Sequence, residues 1–191
     1  RIAQEYGVPL HTHATGGDVQ FLYEHTPEIL TSHLSLTHST GYSQRELEIL
    51  ERYVEIQKIR LSDSFTFEED VPEKLRSCMV PKMLLQPLAE NAILHGLSGV
   101  SAGQLLVTAR ETDEKLLEIR VCDNGCGLPP ELLGPYRPPE QPTGHLGLLN
   151  VDTILRKHYG ERFGLRLENR EDGIGACVVA FLPIEKGESQ C

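Results

Sequence analysis

The sequence is poor in positive charge. Its 18 lysines and arginines stand against 28 aspartates and glutamates, a formal net charge of −10 over 191 residues. A nucleic-acid surface needs the opposite balance, because phosphate binding draws on a Lys/Arg excess. There is also no apolar run near the roughly 20 residues that cross a bilayer. No charged-then-apolar signal peptide opens the chain. It begins at Arg1 rather than Met and is expected to be a piece of a longer protein. Cysteine is sparse and scattered, at positions 78, 122, 126, 177 and 191, with no CxxC pair. A zinc site or disulfide framework is therefore not expected, and the set reads as reduced, cytosolic thiols. The apolar share, 39% against 24% charged, is enough for one globular core, so one domain, or a domain with an appendage, is expected.

Periodicity then orders the chain. Ser43 and Glu46 have the spacing of a capping box, which predicts a helix over 45–61 with Leu47, Leu50, Val54 and Leu61 inward. Glu48 and Arg52 form an i,i+4 pair on its wet side. The stretch SFTFEEDV, 64–71, alternates like an exposed strand. After Gly103, GQLLVTARET and KLLEIRVCDN read as a hairpin turning at 112–114, with Leu117, Ile119 and Val121 on one face. GLRLENR and ACVVAFLP read as a second hairpin. Between the two hairpins, NVDTILRKHYG (150–160) reads as a helix with Val151, Ile154 and Leu155 inward and a glycine just past its end. This order predicts an α/β (α+β) two-layer sandwich: one mainly antiparallel mixed sheet with helices on one face. Six of the twelve prolines fall between Pro129 and Pro142. That connection is expected to be neither strand nor helix, and its length marks it as functional or disordered.

Three stretches carry chemistry. In LLQPLAENAILHGL (84–97), Leu85, Leu88, Ala89, Ala92, Ile93 and Gly96 recur at steps of three and four, which is one buried helical face. Pro87 lies within the pattern, so the regular helix begins or kinks there. Asn91 and His95, four apart, should sit one above the other on the edge of that face, with Glu90 about 100° further round. Unpaired buried polar groups cost roughly 1–3 kcal/mol, so either the protein satisfies these three internally or a ligand does, unless this edge simply faces water. The second stretch, VCDNGCG (121–127), contains D-x-G-x-G in Asp123, Gly125 and Gly127. A carboxylate at a strand end can accept a hydrogen bond from an exocyclic amine, and two glycines let backbone approach a flat ring. The alternative is an ordinary Asp-Asn-Gly turn. In the third, TGHLGLLNV (143–151), Thr143, Gly144 and Gly147 lead to a helix expected near Asn150. Backbone N–H groups gathered at a helix start make a phosphate site. No Gly-Lys-Ser/Thr follows, so this is not a Walker A loop.

Together, in this order, the three stretches resemble the ATP-binding domain shared by histidine kinases, gyrase, Hsp90 and MutL, the Bergerat or GHKL fold. The closer resemblance is to sensor histidine kinases of the autolysin-regulator type, over about 45–183. Their E-L-x5-Y-x2-I-Q-x2-R helix matches Glu46 to Arg60, and their P-x2-L-L-Q-P-L-x-E-N-A-I-x-H-G box matches Pro81 to Gly96. The resemblance implies ATP and Mg²⁺ as cofactors and transfer of the γ-phosphoryl to a histidine, then to a response regulator. Asn91 would hold Mg²⁺, Glu90 would polarise a metal-bound water or orient the acceptor, and His95 would approach the phosphates. Asp123 would bind the adenine amine, with Gly125 and Gly127 making room for the ring. Residues 129–143 would form a lid, and Thr143, Gly144, Gly147 and Asn150 would face the phosphates. It further implies a homodimer in the full-length protein, and a cytoplasmic domain of a membrane-anchored sensor with no membrane segment in this chain. The domain reading is an atypical segment at 1–42, a connecting helix at 43–62 and the ATP-binding domain at 63–187. A catalytically silent nucleotide-binding module and an anti-sigma-factor-like serine kinase are the alternatives.

Three departures stand out. Pro87 occupies the place where gyrase-like ATPases carry a Glu, which argues for transfer to an acceptor over hydrolysis by water. Leu146 and Leu149 replace a commoner isoleucine and a basic residue. The family's acceptor stretch P-H-F-L-F-N is absent upstream. In its place, residues 1–42 resemble a fragment of an amidohydrolase barrel, with His11, His13 and His38 near predicted strand ends. This is far short of the 200 or more residues a barrel needs. His11, His13, His25, His33 and His38 are possible phosphate acceptors, without the family's context.

Overall fold

A computed structural model describes residues 40–62, 64–138 and 146–186. The readings of His11, His13, His25, His33, His38, Thr143 and Gly144 fall outside them. The described residues lie within one compact unit, Thr40–Cys191. The elements are β1 (Thr40–Tyr42), α1 (Ser43–Arg60), β2 (Phe65–Asp70), α2 (Glu73–Arg76), β3 (Met79–Pro81), α3 (Leu85–Asn91, continuing as a wide turn over Ala92–Gly96), β4 (Gly103–Glu111), β5 (Leu116–Asp123), β6 (Gly134–Pro135), α4 (Leu146–Tyr159), β7 (Gly164–Asn169) and β8 (Ala176–Pro183). Among the described residues the main sheet runs β2-β4-β5-β8-β7-β6. Only β2 and β4 pair in parallel; the other neighbours are antiparallel. The fold is thus the mixed, mainly antiparallel two-layer sandwich expected.

Alternation along the strands decides which face meets the helices. Leu105 and Val107 of β4, Leu117, Ile119 and Val121 of β5, and Val178, Ala180 and Leu182 of β8 are buried. They form one cluster with Leu47, Leu50 and Val54 of α1, Leu85, Leu88, Ala89, Ala92 and Ile93 of α3, and Leu148, Val151 and Leu155 of α4. Burying a side chain of this kind contributes about 1.5–3 kcal/mol, so this layer contact dominates stability. The opposite face of the sheet is charged. Glu118 pairs with Arg110 at 2.7 Å and Arg120 at 3.4 Å, and Arg120 reaches Glu168 at 2.9 Å. Beside this network lies a second, small apolar cluster of Cys122, Cys177 and Val179, flanked by Leu106 and Phe181.

Tertiary structure overrides several local expectations. The capping box does not form: Ser43 is already helical, and Tyr42 stands at the cap without a side-chain bond. The Ser43 hydroxyl donates to the Leu75 carbonyl at 2.6 Å. One position deeper than a box requires, Glu46 turns inward and is 3% exposed. Its carboxylate accepts the backbone N–H groups of Met83 at 3.0 Å, Leu84 at 2.9 Å and Leu85 at 3.4 Å. Leu84 has no side-chain oxygen to satisfy the start of α3, so Glu46 supplies one from another helix. Pro87 sits in the first turn of α3, where its missing N–H costs nothing. Leu61 lies past the end of α1 and is 40% exposed. Glu48 pairs with Arg45 at 3.0 Å rather than with Arg52.

Two further expectations are corrected. The Pro-rich connection contains a 3-10 turn, Pro130–Leu132, and the short strand β6, which pairs with β7. Tyr136 is buried behind it and donates its N–H to Leu165 at 2.8 Å. The free edge of β7 captures a segment that local propensity leaves as loop. Cys122 and Cys177 are joined in a disulfide, not held as separate thiols. They lie 55 residues apart in sequence but directly opposite in the β5–β8 register, which no local spacing reveals. Cys78 is free and buried, and Cys126 is free and exposed.

Glu46→Ala leaves three N–H groups without their acceptor and is expected to lower unfolding free energy by roughly 2–3 kcal/mol. Glu46→Gln, which keeps one acceptor oxygen, should lose less. Urea denaturation of both variants checks the order, and an alanine variant as stable as wild type would show that water replaces the carboxylate.

Candidate functional site

The site gathers where β5 ends. Asp123 is its last residue, 5% exposed. Its Oδ1 accepts the N–H of Gly125 at 2.8 Å and that of Ala176, the first residue of β8, at 3.3 Å. Oδ2 accepts no hydrogen bond among the described residues and lies against Gly96. Burial pushes the carboxyl pKa above the ordinary aspartate range, while the two N–H donors and the charge of Arg170 pull it back.

Three glycines make this geometry possible. A Cβ on Gly96 would stand 2.4 Å from the Asp123 carboxylate, and one on Gly125 would stand 1.8 Å from the Gly96 carbonyl oxygen. A Cβ on Gly175, at φ +97°, would stand 2.0 Å from the Asp123 carbonyl oxygen. The end of the α3 segment, the turn after β5 and the β7–β8 turn therefore touch backbone to backbone around one acid. Gly125 is a residue that the sequence picks out. Gly96 is legible only as part of the helical face, and Gly175 only as part of a turn.

Two asparagines brace the same loop. The Asn124 side chain donates to the Ala102 carbonyl at 2.9 Å and accepts the Gln104 N–H at 2.7 Å. Asn169 accepts the Leu128 N–H at 2.7 Å and donates to the Leu128 carbonyl at 3.0 Å. Asn169 Oδ1 also lies 3.1 Å from where a Cβ on Gly127 would be, and Gly127 has φ +73°. Neither asparagine stands out in the sequence, because the motif D-x-G-x-G leaves Asn124 unspecified and Asn169 is 42 residues beyond it.

The polar edge of α3 leads toward the same place. Glu90 and Asn91 are half-buried. After Asn91 the helix widens, so that the Leu97 N–H reaches the Ala92 carbonyl at 2.9 Å. Widened turns of this kind often occur at functional sites. The wider turn breaks the regular 3.6-residue spacing expected between Asn91 and His95, and His95 is exposed. Tyr53 of α1 is half-buried, and its hydroxyl pKa is pushed up to about 12 by burial and by the negative charge of Glu90. On the other flank, α4 begins at Leu146, earlier than the expected start near Asn150. Gly147 and Asn150 are thus inside the helix. A Cβ on Gly147 would lie 3.3 Å from Pro87, so Gly147 permits close packing of α4 on α3. Asp152 fixes the far side of α4, accepting the Leu165 N–H at 2.8 Å and the Arg156 guanidinium at 2.7 Å.

A buried carboxylate with one oxygen unengaged among the described residues, beside an amide-bearing helix edge, has the chemistry to accept an adenine amine. Residues 80–186 match the family described as histidine kinase-, DNA gyrase B-, and HSP90-like ATPase, and the chain belongs to this family of ATP-binding domains. It is similar to the sensor histidine kinase YpdA of Escherichia coli K12, 33% identical over 131 residues, covering 68% of this chain and 22% of that protein. It is also similar to the sensor histidine kinase YesM of Bacillus subtilis, 30% identical over 141 residues, covering 73% of this chain and 23% of that one. The chain therefore spans less than a quarter of either relative. The catalytic domain of histidine kinase ThkA shares the fold with a TM-score of 0.59 at 19% identity, covering 78% of this chain and 98% of that structure.

Gly125→Ala is expected to push Gly96 and Asp123 apart and to lower stability by about 1–3 kcal/mol or more, the usual range for forced overpacking. Thermal unfolding measures the loss. Gly99→Ala, at a glycine with open space around it but φ +78°, is the comparison for a purely backbone effect.

Proposed function

We propose that this chain is the ATP-binding catalytic part of a two-component sensor histidine kinase. It moves the γ-phosphoryl of ATP to a histidine, from which a response-regulator aspartate receives it. The observation that carries this reading is Asp123. One carboxylate oxygen is committed to backbone, and the other lies beside a wall of glycine where an exocyclic amine can donate to it. By the family resemblance Gly125 and Gly127 would line the ring, while their missing Cβ atoms let the Gly96 carbonyl and the Asn169 side chain approach the loop. We read Thr143, Gly144, Gly147 and Asn150, by the family resemblance, as the residues that would face the phosphates. Phosphoryl transfer asks chiefly for positioning and charge neutralisation.

Mg²⁺ would supply part of that neutralisation, and Asn91 on the α3 edge would hold it; an amide oxygen suits this hard cation. Glu90, whose charge is felt by Tyr53 of α1, would polarise a metal-bound water or orient the acceptor. His95 stands at the exposed end of the same segment and would approach the phosphates. Pro87 in place of a water-activating acid favours transfer over hydrolysis. No described helix is long and apolar enough to cross a membrane. In our reading the chain is a cytoplasmic domain of a membrane-anchored, homodimeric sensor, with 1–42 as an atypical segment, 43–62 as the connecting helix and 63–187 as the ATP-binding domain.

The test is incubation with γ-labelled Mg-ATP, alone and with a histidine-containing acceptor domain of a relative. Acid-labile, alkali-stable label that disappears in Asp123→Asn supports the kinase. Acid-stable label identifies a serine kinase instead, and nucleotide binding without label in either case identifies a silent module. Direct titration with ATP gives a second prediction. Asp123→Asn removes a charged acceptor, and at about 1.5–3 kcal/mol for such a bond its Kd should rise roughly 10- to 100-fold. The amine needs the ionised carboxylate, which is present above the Asp123 pKa and lost below it. That pKa is raised, so affinity should fall on acidification with a midpoint above the ordinary aspartate value of 3.8. The asparagine variant should lack this step.

A further inference from the structure

The disulfide between Cys122 and Cys177 lies one residue from the nucleotide carboxylate on both strands. Cys122 precedes Asp123, and Cys177 follows Ala176, the residue whose N–H Asp123 accepts. In the β5–β8 ladder the pair Cys122↔Cys177 is the last rung, the one next to the site. A terminal rung is held from one side only and is where a ladder opens first. Beyond it, the strands are joined by the Ala176 N–H to Asp123 Oδ1 bond and by the close approach of Gly175 to the Asp123 carbonyl. The bridge therefore closes the end of the ladder from which Asp123 is aimed.

Alternation places the sulfurs on the outer face of the sheet, away from α3 and α4. They sit in the small cluster with Val179, Leu106 and Phe181, and Cys122 and Cys177 are 5% and 2% exposed. Small secreted domains depend on disulfides because they lack a core. Here one continuous apolar cluster runs through both layers, so the bridge is not standing in for a missing core. A domain that uses ATP works where ATP is plentiful, in a reducing compartment, and disulfides formed there are mostly transient and regulatory.

We propose that Cys122 and Cys177 form a reversible thiol–disulfide site through which dithiol reductants, and oxidants that reverse them, set how firmly Asp123 holds a nucleotide. The proposal rests on Asp123 as the adenine acceptor. In the reducing direction, a reductant thiolate attacks one sulfur. The S–S bond breaks, and the second cysteine leaves as a thiolate and takes up a proton. The reductant's other thiol then attacks the reductant sulfur of the mixed disulfide, and the first cysteine leaves as a thiolate and takes up the proton that this thiol gives up. Two electrons and two protons pass to the protein, and the dithiol departs as a disulfide. Because both sulfurs are buried, attack requires the end rung to open. A nucleotide that holds Asp123 in place opposes that opening. By reciprocity, the factor by which the bridge tightens nucleotide binding is the factor by which nucleotide protects the bridge.

The experiment takes the chain in oxidised form and after dithiothreitol, with the cysteine state of each peptide read by alkylation and mass spectrometry. ATP affinity is measured by calorimetry and Ala176 amide exchange by NMR. Reduction should free Cys122 and Cys177 together, weaken ATP binding about tenfold, within the usual range of coupling between two sites, and accelerate exchange at Ala176. Reoxidation should restore both. Cys126→Ser should keep the response, and the double variant Cys122→Ser, Cys177→Ser should stay at the weak value whatever the redox state. Equal affinity and equal Ala176 exchange in the two forms would overturn the proposal, as would a response that survives in the double variant. Redox-dependent exchange at Ala176 with no ATP binding in either form would uphold the site while refuting the assignment of Asp123 to adenine.

Discussion

A desolvated carboxylate pressed against backbone on three sides is the constraint around which this domain is arranged. Asp123 is affordable at the end of a buried strand only because two N–H groups face one of its oxygens. Those donors can come close only where glycine replaces every larger residue, at positions 96, 125 and 175. Each of these glycines belongs to a different segment. The turn after β5, the end of the α3 segment and the β7–β8 turn must all be in place before the acid can be held, so the site is a product of the whole sandwich.

Glu46 makes a related connection at the other end of α3. Where α3 lacks a capping side chain of its own, a buried carboxylate from α1 takes its first N–H groups. Burial raises the Glu46 pKa, and the three donors lower it in part. The folded-state pKa of this acid thus lies above its unfolded value, and its contribution to stability declines as pH rises through that interval. The helix that would connect to the rest of a sensor is therefore bonded directly to the helix bearing Glu90 and Asn91. Tyr53, also from α1, sits within the field of Glu90. Leu47, Leu50 and Val54 of α1 share one buried cluster with Leu85, Leu88 and Ala89 of α3, which holds the two helices together along their length.

Much of this was readable from residues alone, where a single local pattern sufficed. The alternation of Leu117, Ile119 and Val121, the three-and-four spacing of Leu85 through Ile93, and the D-x-G-x-G of 123–127 each report a local period or turn, and each is found in place. Failures occurred where a remote partner won. Glu46 has the spacing of a capping box, yet a neighbouring helix start offered three donors. The segment around Gly134 has the composition of a loop, yet the open edge of β7 offered it a ladder. Asn91 and His95 have helical spacing, yet the helix widens between them. Asn124 and Asn169 are ordinary turn and strand-end residues until the loop after β5 is folded between them.

The sequence by itself determined the order of the long elements, most of each buried face and the motif residues that gather around Asp123. Those properties depend on side chains a few positions apart, and periodicity records them. Only the tertiary structure decided which oxygen of Asp123 is engaged, which glycines must have no Cβ, and that Cys122 meets Cys177. Those depend on strand order and register, and the neighbours β5 and β8 are separated in the chain by a connection, a helix and another strand. A one-residue slip in that register would turn each cysteine to the opposite face. The register itself is fixed by the burial of the whole apolar face, not by the two residues it brings together.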